Sequence, residues 1–345
     1  MSSHPQTPFL SVVAPCFNEE SGLREFYRRM TGACVSAVQD DYEMVLVNDG
    51  SKDATWSIMC DLAYHDPKVV AINLSRNYGH QLALTAGLQH CWGSRILIID
   101  SDLQDPPELL CEMLGVMNEE NADVVYGQRR QRAGETLSKK LTATMFYHML
   151  QYLIEIDIPR DVGDFRLMNR RALDILNAMP EHSRFIRGMV SWIGLKQVPF
   201  LYDRNARFAG VTGYPVSKMI RFALDAITSF SITPLRLASG LGIFFGIGGL
   251  LMMSYTLGSW LFGSTVTGWT SLTTIVLIIG SVQLIVLGVL GEYLGRLYME
   301  VKRRPLYVIE SVIGGGATSG SSGQQGDDPR PVKSVALGVH TGPSL

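Results

Sequence analysis

Charged residues are missing from a long stretch late in the chain, because no Asp, Glu, Lys or Arg occurs between Arg236 and Glu292. A helix that crosses the hydrocarbon core of a bilayer needs about 20 mostly apolar residues, so this interval has room for two. We predict transmembrane helices at about 237–262 and 272–294, joined as a hairpin by a short uncharged turn. The alternative is a hairpin buried in a large soluble core, but soluble helices of this length usually carry a charged stripe.

Basic residues flank the uncharged interval and are absent from its central turn. Lys218, Arg221 and Arg236 precede it, and Arg296 and the basic run 302–304 follow it. Cytoplasmic flanks of membrane helices are enriched in Lys and Arg, so both ends of the hairpin should face the cytoplasm. The protein is therefore expected to be integral to the cell (inner) membrane, with both termini cytoplasmic.

Signature motifs of several protein classes are also absent. The chain has no GxxxxGK[ST] phosphate loop, no GxGxxG dinucleotide fingerprint and no HExxH metalloprotease motif. Its five cysteines form no CxxC pair and show no zinc-ligand spacing, which favours reduced thiols packed in a cytosolic domain. The formal net charge of -2 gives no sign of nucleic-acid binding.

Apolar runs alternate with amphipathic stretches between residues 9 and 127. The predicted strands are "FLSVVAP", "YEMVLVND", "KVVAINL", "RILIID" and "ADVVYG". The predicted helices lie near 21–38, 53–64, 79–91 and 106–118. This alternation predicts an α/β domain whose mostly parallel sheet is covered by helices on both faces. Mixed helix and strand continue beyond it, and the cytoplasmic domain is predicted to span residues 1–210.

Composition divides the rest of the chain into three segments. Residues 211–234 are predicted to form an amphipathic juxtamembrane segment, because apolar and basic residues alternate there with helical spacing. Residues 235–298 hold the membrane hairpin. Residues 299–345 form a cytoplasmic tail that is expected to be disordered after about 313, where Gly and Ser dominate.

Polar clusters follow the first four predicted strands. They read "PCFNEE", "NDGSKD", "SRNYGHQ" and "DSDLQD" in chain order. Ligands bind to such sheets beyond the carboxyl ends of the strands, so the four clusters predict one shared site. His80, in the third cluster, is expected to start a helix or to pack rather than to act as a ligand.

The fourth cluster crowds carboxylates at the end of a buried strand. Asp100 and Asp102 are separated by one residue, and Asp105 follows closely. Carboxylates at this spacing suit a hard divalent cation whose remaining ligands are diphosphate oxygens of a substrate. The Gln104 amide could add another oxygen. The alternative is a solvated acidic turn without a ligand.

Six motifs occur along the chain in this order: "VVAPCFNEE", "VNDGSKDAT", "LSRNYGHQLALTAGL", "IDSDLQDPPEL", "DVGDFRLMNR" and "FALDAITSFS". In combination they resemble those of the polyprenyl-phosphate glycosyltransferases of glycosyltransferase family 2. That group includes dolichol-phosphate mannose synthase and the bacterial bactoprenol glucosyltransferases with two C-terminal membrane helices. The resemblance covers about residues 9–310.

The resemblance implies a GT-A domain that transfers a hexose to a polyprenyl phosphate at the cytoplasmic membrane face. The reaction would be inverting and would depend on Mg2+ or Mn2+, with UDP-glucose as the leading donor. GDP-mannose and UDP-aminosugars stay open as donors. A processive polysaccharide synthase lacks support because no QxxRW motif is present, and a non-catalytic membrane scaffold is the alternative from another class. The glycine-rich spans further predict a homo-oligomer, either a dimer or a tetramer.

The resemblance also assigns roles to individual residues. Nucleotide binding falls to Pro15, Phe17, Glu19, Asp49 and Ser101, and metal binding to Asp100, Asp102 and Gln104. Phosphate binding falls to Arg129, Arg204 and Arg207, and the catalytic positions are Asp164 and Arg129. Phe17 replaces the usual Tyr, which keeps stacking but removes a hydroxyl. The run Val211–Tyr214 lacks the lysine that the family often carries there.

Overall fold

The computed structural model describes residues 7–130, 162–203, 233–261 and 269–314. Within these ranges the sheet contains strands β1 to β8, which are Leu10–Cys16, Tyr42–Asn48, Val69–Leu74, Arg95–Ile98, Val124–Arg129, Val162–Asn169, Gln197–Tyr202 and Ile309–Gly314. The α-helices α1 to α8 are Leu23–Val38, Thr55–His65, His80–His90, Leu110–Glu119, Arg170–Ala178, Ile186–Ile193, Thr233–Leu261 and Trp269–Lys302. A short 3-10 helix, Pro107–Leu109, precedes α4.

The strands form one mixed sheet in the order β7-β5-β6-β4-β1-β2-β3-β8. The strand pairs β1–β2, β1–β4, β2–β3 and β5–β7 are parallel. Strand β6 lies antiparallel between β4 and β5, and β8 lies antiparallel along β3. The predicted α/β class with a mostly parallel sheet is confirmed, as are the five strands and four helices predicted between residues 9 and 127.

Helices cover both faces of the sheet because the strand side chains alternate between the two faces. Val12 and Ala14 contribute to one buried cluster, with side chains of α1, α2 and α4. Val13 and Val45 contribute to a second cluster, with side chains of α3, α5 and α6. Each fully buried aliphatic or aromatic side chain in these clusters contributes about 1.5–3 kcal/mol relative to an exposed one. The resulting rigid sheet holds the loops at its edge in place.

Strand β6 determines which residues meet at the carboxyl end of β4. Ile98 of β4 pairs with Arg166 of β6 in an antiparallel register. Continuing this register by two residues places Asp164 opposite Asp100. Asp100 and Asp164 belong to separate sequence motifs, and the antiparallel strand brings them together.

Helices α7 and α8 are apolar and contact each other. Among the described residues, the segment Ile278–Lys302 is long and apolar enough to cross a membrane, judged by length and composition. Large side chains stay exposed on both helices: Phe244 is 70% exposed and Leu284 is 72% exposed. The membrane hairpin itself stays a prediction.

After α8 the chain returns to the sheet. Strand β8 pairs with β3, and the amide of Ser75 donates to the carbonyl of Val308 at 3.0 Å. The Asn73 side chain donates to Glu310 at 2.8 Å and accepts from Asn48 at 2.7 Å. Residues 309–314 therefore belong to the sheet as an edge strand, although the sequence analysis included them in a tail.

Some predictions fall on residues outside the described ranges. These are Arg204 and Arg207, most of the juxtamembrane segment 211–234, the turn of the predicted hairpin and the tail after 314.

Candidate active site

The loops after β1, β2 and β4 meet at one edge of the sheet, as the sequence analysis predicted. The Ser101 hydroxyl donates to the carbonyl of Pro15 at 3.1 Å, which joins the loop after β4 to the end of β1. The backbone amide of Asp49 donates to the carbonyl of Cys16 at 2.9 Å, which joins the loop after β2 to the last residue of β1. The site therefore rests on three neighbouring parallel strands.

A small cavity of about 140 Å³ opens between these loops. Its lining residues are Pro15, Cys16, Phe17, Asp49, Asn77, Gly79 and His80. Phe17 is 45% exposed, so its ring is available for stacking on a base. Burial raises the pKa of the Cys16 thiol to about 12, which keeps this sulfur protonated and unreactive. The cavity thus presents an aromatic ring and polar groups to a ligand.

Asp49 is held rigidly beside this cavity. Its carboxylate is buried and accepts hydrogen bonds from the amides of Tyr78 at 2.7 Å and Gly79 at 3.0 Å. Burial raises the pKa of Asp49, and the two amide hydrogen bonds oppose that rise. A carboxylate has about four acceptor positions, so two bonds leave it able to accept a hydrogen bond from a base.

A glycine next to Asp49 allows two loops to approach each other. Gly50 has φ +64°, and a Cβ built on it would lie 2.5 Å from the backbone nitrogen of Asn77. A larger residue at position 50 would therefore separate the loop after β2 from the loop after β3.

Glu19, also predicted to bind nucleotide, lies on the loop after β1 and does not line the cavity. Its backbone amide instead donates to the Thr55 hydroxyl at 2.8 Å.

The crowded carboxylates lie beside the cavity. Burial raises the pKa of Asp100 to about 6, and the negative charges of Asp164, Asp105 and Asp102 add to that rise although His80 opposes it. The Oδ1 atom of Asp100 is buried and has no hydrogen-bond partner among the described residues. This atom lies 3.5 Å from Nε2 of His80.

This donor set suits a divalent cation that is completed by its substrate. In the described ranges, no group of three or more His, Cys, Asp or Glu side chains is arranged to hold a metal ion. Mg2+ and similar ions in phosphoryl-substrate sites are commonly bound by one or two carboxylates plus phosphate oxygens. Asp100, with its unpartnered oxygen, and Asp102, two residues away, offer such a pair. Gln104, whose backbone N–H donates to Asp102 Oδ1 at 3.1 Å, lies on the same loop.

Asp164 lies in the centre of a network of hydrogen bonds. Its side chain is 2% exposed. One oxygen accepts from Nε of Arg187 at 2.8 Å, and the other lies 3.0 Å from Nε2 of His80 and from Nε2 of Gln81. Burial opposes ionisation, but the Arg187 charge and these hydrogen bonds outweigh it and hold the pKa of Asp164 well below its usual range. Asp164 is therefore a fixed anion.

Three members of this network were not predicted as site residues. His80 starts α3, as expected, but it also lies between Asp164 and Asp100. Gln81 donates to Asp164 and accepts from the amide of Ile186 at 2.9 Å, which links α3 to the start of α6. Arg187 is the second residue of α6. The cluster "YGHQ" was the available signal for His80 and Gln81, whereas no local motif marks Arg187.

Arg129, predicted to bind phosphate, ends β5 beside this network. A Cβ built on Gly163 would lie 2.9 Å from Nη2 of Arg129, so the guanidinium packs against the backbone next to Asp164. Nε of Arg129 donates to the Tyr202 hydroxyl at 3.5 Å, and Tyr202 donates to buried Asp105. The hydrogen bonds thus connect Arg129 to the loop of the crowded carboxylates.

These features define a class of protein: an α/β protein with an acidic cluster at the strand ends beside a small cavity lined by an aromatic ring and polar groups. Residues 11–176 match the model of the family described as Glycosyl transferase family 2. The chain belongs to this family and is a glycosyltransferase. The resemblance inferred from the motifs is confirmed.

Several relatives match almost the whole chain. The "Uncharacterized glycosyltransferase YkcC" of Bacillus subtilis (strain 168) is 46% identical over 91% of this chain and 96% of its own length. The "SfII prophage-derived bactoprenol glucosyl transferase" of Shigella flexneri is 39% identical over 87% of this chain and 97% of its own length. This chain is therefore related along nearly its full length to bactoprenol glucosyl transferases.

Among solved structures, similarity is lower. Glucosyl-3-phosphoglycerate synthase from Mycobacterium tuberculosis, in complex with Mn2+, UDP-Glc and phosphoglyceric acid, is 19% identical with a TM-score of 0.41, covering 64% of this chain and 78% of that one. Similarity at this level supports no inference about the ligands of this chain.

Proposed function

We propose that the protein transfers glucose from UDP-glucose to a polyprenyl phosphate at the cytoplasmic face of the membrane. The observation that carries this proposal is the near-full-length similarity to relatives named bactoprenol glucosyl transferase. The geometry of the site agrees with it, because a base-sized cavity adjoins a cluster of carboxylates.

In this proposal the cavity binds the nucleotide. The Phe17 ring stacks on the base, and Asp49 accepts a hydrogen bond from it. The diphosphate then extends toward Asp100 and Asp102, which would hold a divalent cation together with it. When bound, Mg2+ or Mn2+ would stabilise the negative charge that develops on the departing diphosphate. Without a cation, the diphosphate would meet the unscreened carboxylates and be repelled.

The acceptor needs charge compensation more than it needs a base. A lipid phosphate is already anionic near neutral pH, so its oxygen can attack the sugar without losing a proton. Arg129, beside the network, offsets the repulsion between the acceptor and donor phosphates. Because Arg187 and His80 keep Asp164 ionised, we assign Asp164 a positioning role: it fixes the His80 ring next to Asp100.

The apolar helices explain how such a protein meets a lipid acceptor. Helix α8 contains a segment that can cross a membrane, and the exposed apolar side chains of α7 and α8 would face lipid rather than water. A second span in α7, the cytoplasmic orientation and a homo-oligomer are parts of the proposal. Anchoring the domain beside the bilayer keeps it close to an acceptor that does not leave the lipid phase.

A donor panel tests the proposal. Membranes containing the full chain are incubated with polyprenyl phosphate and radiolabelled UDP-glucose, GDP-mannose or UDP-N-acetylglucosamine, and the lipids are then extracted. We expect label in the lipid fraction from UDP-glucose, and none with the Asp100→Asn variant. Label from one of the other donors would replace glucose in the proposal, and absence of lipid label from every donor would refute it.

A further inference from the structure

A second, larger cavity of about 800 Å³ lies where α8 ends. Arg303, Arg304, His182 and Gln89 are among the residues that line it. Gln89 and His80 lie nine residues apart on α3, which corresponds to about 13 Å along the helix axis. The cavity therefore lies at the opposite end of α3 from the carboxylate cluster and is separate from the proposed transfer site.

The walls of this cavity are held in place by specific contacts. The buried guanidinium of Arg184 donates to the carbonyls of Met179 at 2.6 Å and Leu176 at 3.1 Å, which fixes the loop that carries His182. The amide of His182 donates to the Glu300 carboxylate at 2.8 Å, which docks the last turn of α8 on this loop. A site with such fixed walls loses little conformational freedom when a ligand binds.

Residues 303–308, the segment between α8 and β8, form the wall of the cavity opposite the loop that carries His182. We call this segment the elbow. Arg303 has φ +47°, so the helix ends there and the chain turns. Two residues before β8 begins, the Tyr307 hydroxyl bonds the Gln89 side chain. The elbow is thus tied to α3 on one side and to the sheet on the other.

The charge balance of the cavity is positive. Arg303 and Arg304 form no ion pair with any described residue, and both are exposed. Glu300 is the one carboxylate among the lining residues, so the two guanidinium groups and this carboxylate sum to a formal charge of +1. Guanidinium groups bind phosphate through paired, charge-assisted hydrogen bonds, which makes a phosphate group the ligand this lining suits best.

Position identifies the source of that phosphate. The membrane-capable segment ends at Lys302, and Arg303 follows directly. If α8 spans the bilayer up to about residue 294, as the proposed function requires, the elbow begins about two and a half helical turns beyond the span on the cytoplasmic side, where its long arginine side chains can reach toward the lipid headgroups. We propose that this cavity binds the phosphate of an anionic phospholipid headgroup through Arg303 and Arg304, and so fixes the end of the membrane helix to the catalytic domain.

Thermal unfolding of the full chain in a neutral detergent tests the proposal. Short-chain phosphatidylglycerol is titrated in, with matched phosphatidylcholine and inorganic phosphate as separate arms. We expect Tm to rise saturably with phosphatidylglycerol and to stay unchanged with phosphatidylcholine and with inorganic phosphate. In R303A/R304A the apparent affinity should fall about tenfold or more, the factor that corresponds to losing a charge-assisted hydrogen bond.

Lys302→Ala is the matched control. Lys302 is also basic and adjacent, but its ammonium group lies over the Tyr298 ring at 4.3 Å and it does not line the cavity. This variant should respond to phosphatidylglycerol like the unmodified chain. If R303A/R304A shows no folding transition, Arg304→Ala alone serves as the test.

Three results would overturn the proposal. They are an equal response to phosphatidylcholine, an unchanged response in the arginine variants, and a full response to inorganic phosphate at the same concentration. The last would mean that the cavity takes free phosphate rather than a lipid. This assay contains no sugar nucleotide. Failure of the phospholipid proposal can therefore be told apart from failure of the proposed glucosyl transfer.

Discussion

The ion pair between Arg187 and Asp164 should contribute measurably to stability, and Arg187→Gln tests this. The substitution removes the guanidinium that lies 2.8 Å from one Asp164 oxygen and 3.3 Å from the other. The Asp164 carboxylate would stay buried and charged, and among the described residues only His80 and Gln81 would still form hydrogen bonds with it. Removing one partner of a buried ion pair typically costs about 3–5 kcal/mol.

The exposure of Arg187 reduces this figure. Its side chain is 33% exposed, against 2% for Asp164, so water can replace part of the lost interaction. We therefore expect a loss of about 2–3 kcal/mol, in the range for a hydrogen bond to a charged group. At roughly 2–4 °C per kcal/mol for a domain of this size, Tm should fall by about 4–12 °C.

Thermal unfolding of the full chain in detergent measures the loss, and Arg24→Gln is the control. Arg24 pairs with Asp61 at 2.8 Å, but the side chains are 60% and 42% exposed, so this pair is worth at most about 1 kcal/mol. The double variant Asp164→Asn with Arg187→Gln should lose less than the sum of the single losses, because no buried charge is left unpaired. Equal Tm values for Arg187→Gln and Arg24→Gln would refute the reasoning.

Three further predictions concern the loops of the site. Asp100→Asn should reduce sugar transfer at least about 100-fold, measured as radiolabel in the extracted lipids. Its Tm should stay equal or rise, because one of the crowded carboxylates is neutralised; retained sugar transfer would contradict this prediction. Tyr202→Phe should lower the unfolding free energy by about 1–3 kcal/mol, measured by denaturant titration, since Asp105 loses a buried donor; an unchanged midpoint would count against it. Gly50→Ala should lower the free energy of unfolding by about 1 kcal/mol or more and weaken UDP binding, whereas the control Gly32→Ala, at an open position in a helix, should raise the free energy of unfolding by about 0.5–1 kcal/mol. Similar Tm changes in the two variants would disprove the account of Gly50.

The part of the site that could be predicted is the part built by local sequence. Asp49 and Asp100 each follow an apolar run of strand character, and parallel strands bring their carboxyl ends to one edge. The burial pattern of β1 to β4 therefore determines both the sheet and the position of these two aspartates. Pro15 and Phe17 belong to the polar cluster at the end of the first predicted strand, and the structure brings both into one cavity with Asp49.

The unpredicted part depends on tertiary contacts that leave no local pattern. Arg187 meets Asp164 because β6 runs antiparallel between β4 and β5, and Gln81 reaches Ile186 across 105 residues of chain. An isolated arginine in "RFIRGMV" looks like any surface arginine. Strand β8 was missed for a different reason: six residues with partial alternation after a long apolar helix are a weak signal, and only pairing with β3 identifies them as a strand.

Binding of UDP with and without a divalent cation tests the central claim most directly. The claim is that Asp100 and Asp102 engage the donor diphosphate through a cation. Calorimetric titration of the full chain with UDP should give clearly tighter binding in Mn2+ than in chelator, and Asp100→Asn should abolish this difference. Equal affinity for UDP in Mn2+ and in chelator, or a cation effect that survives in Asp100→Asn, would contradict the account.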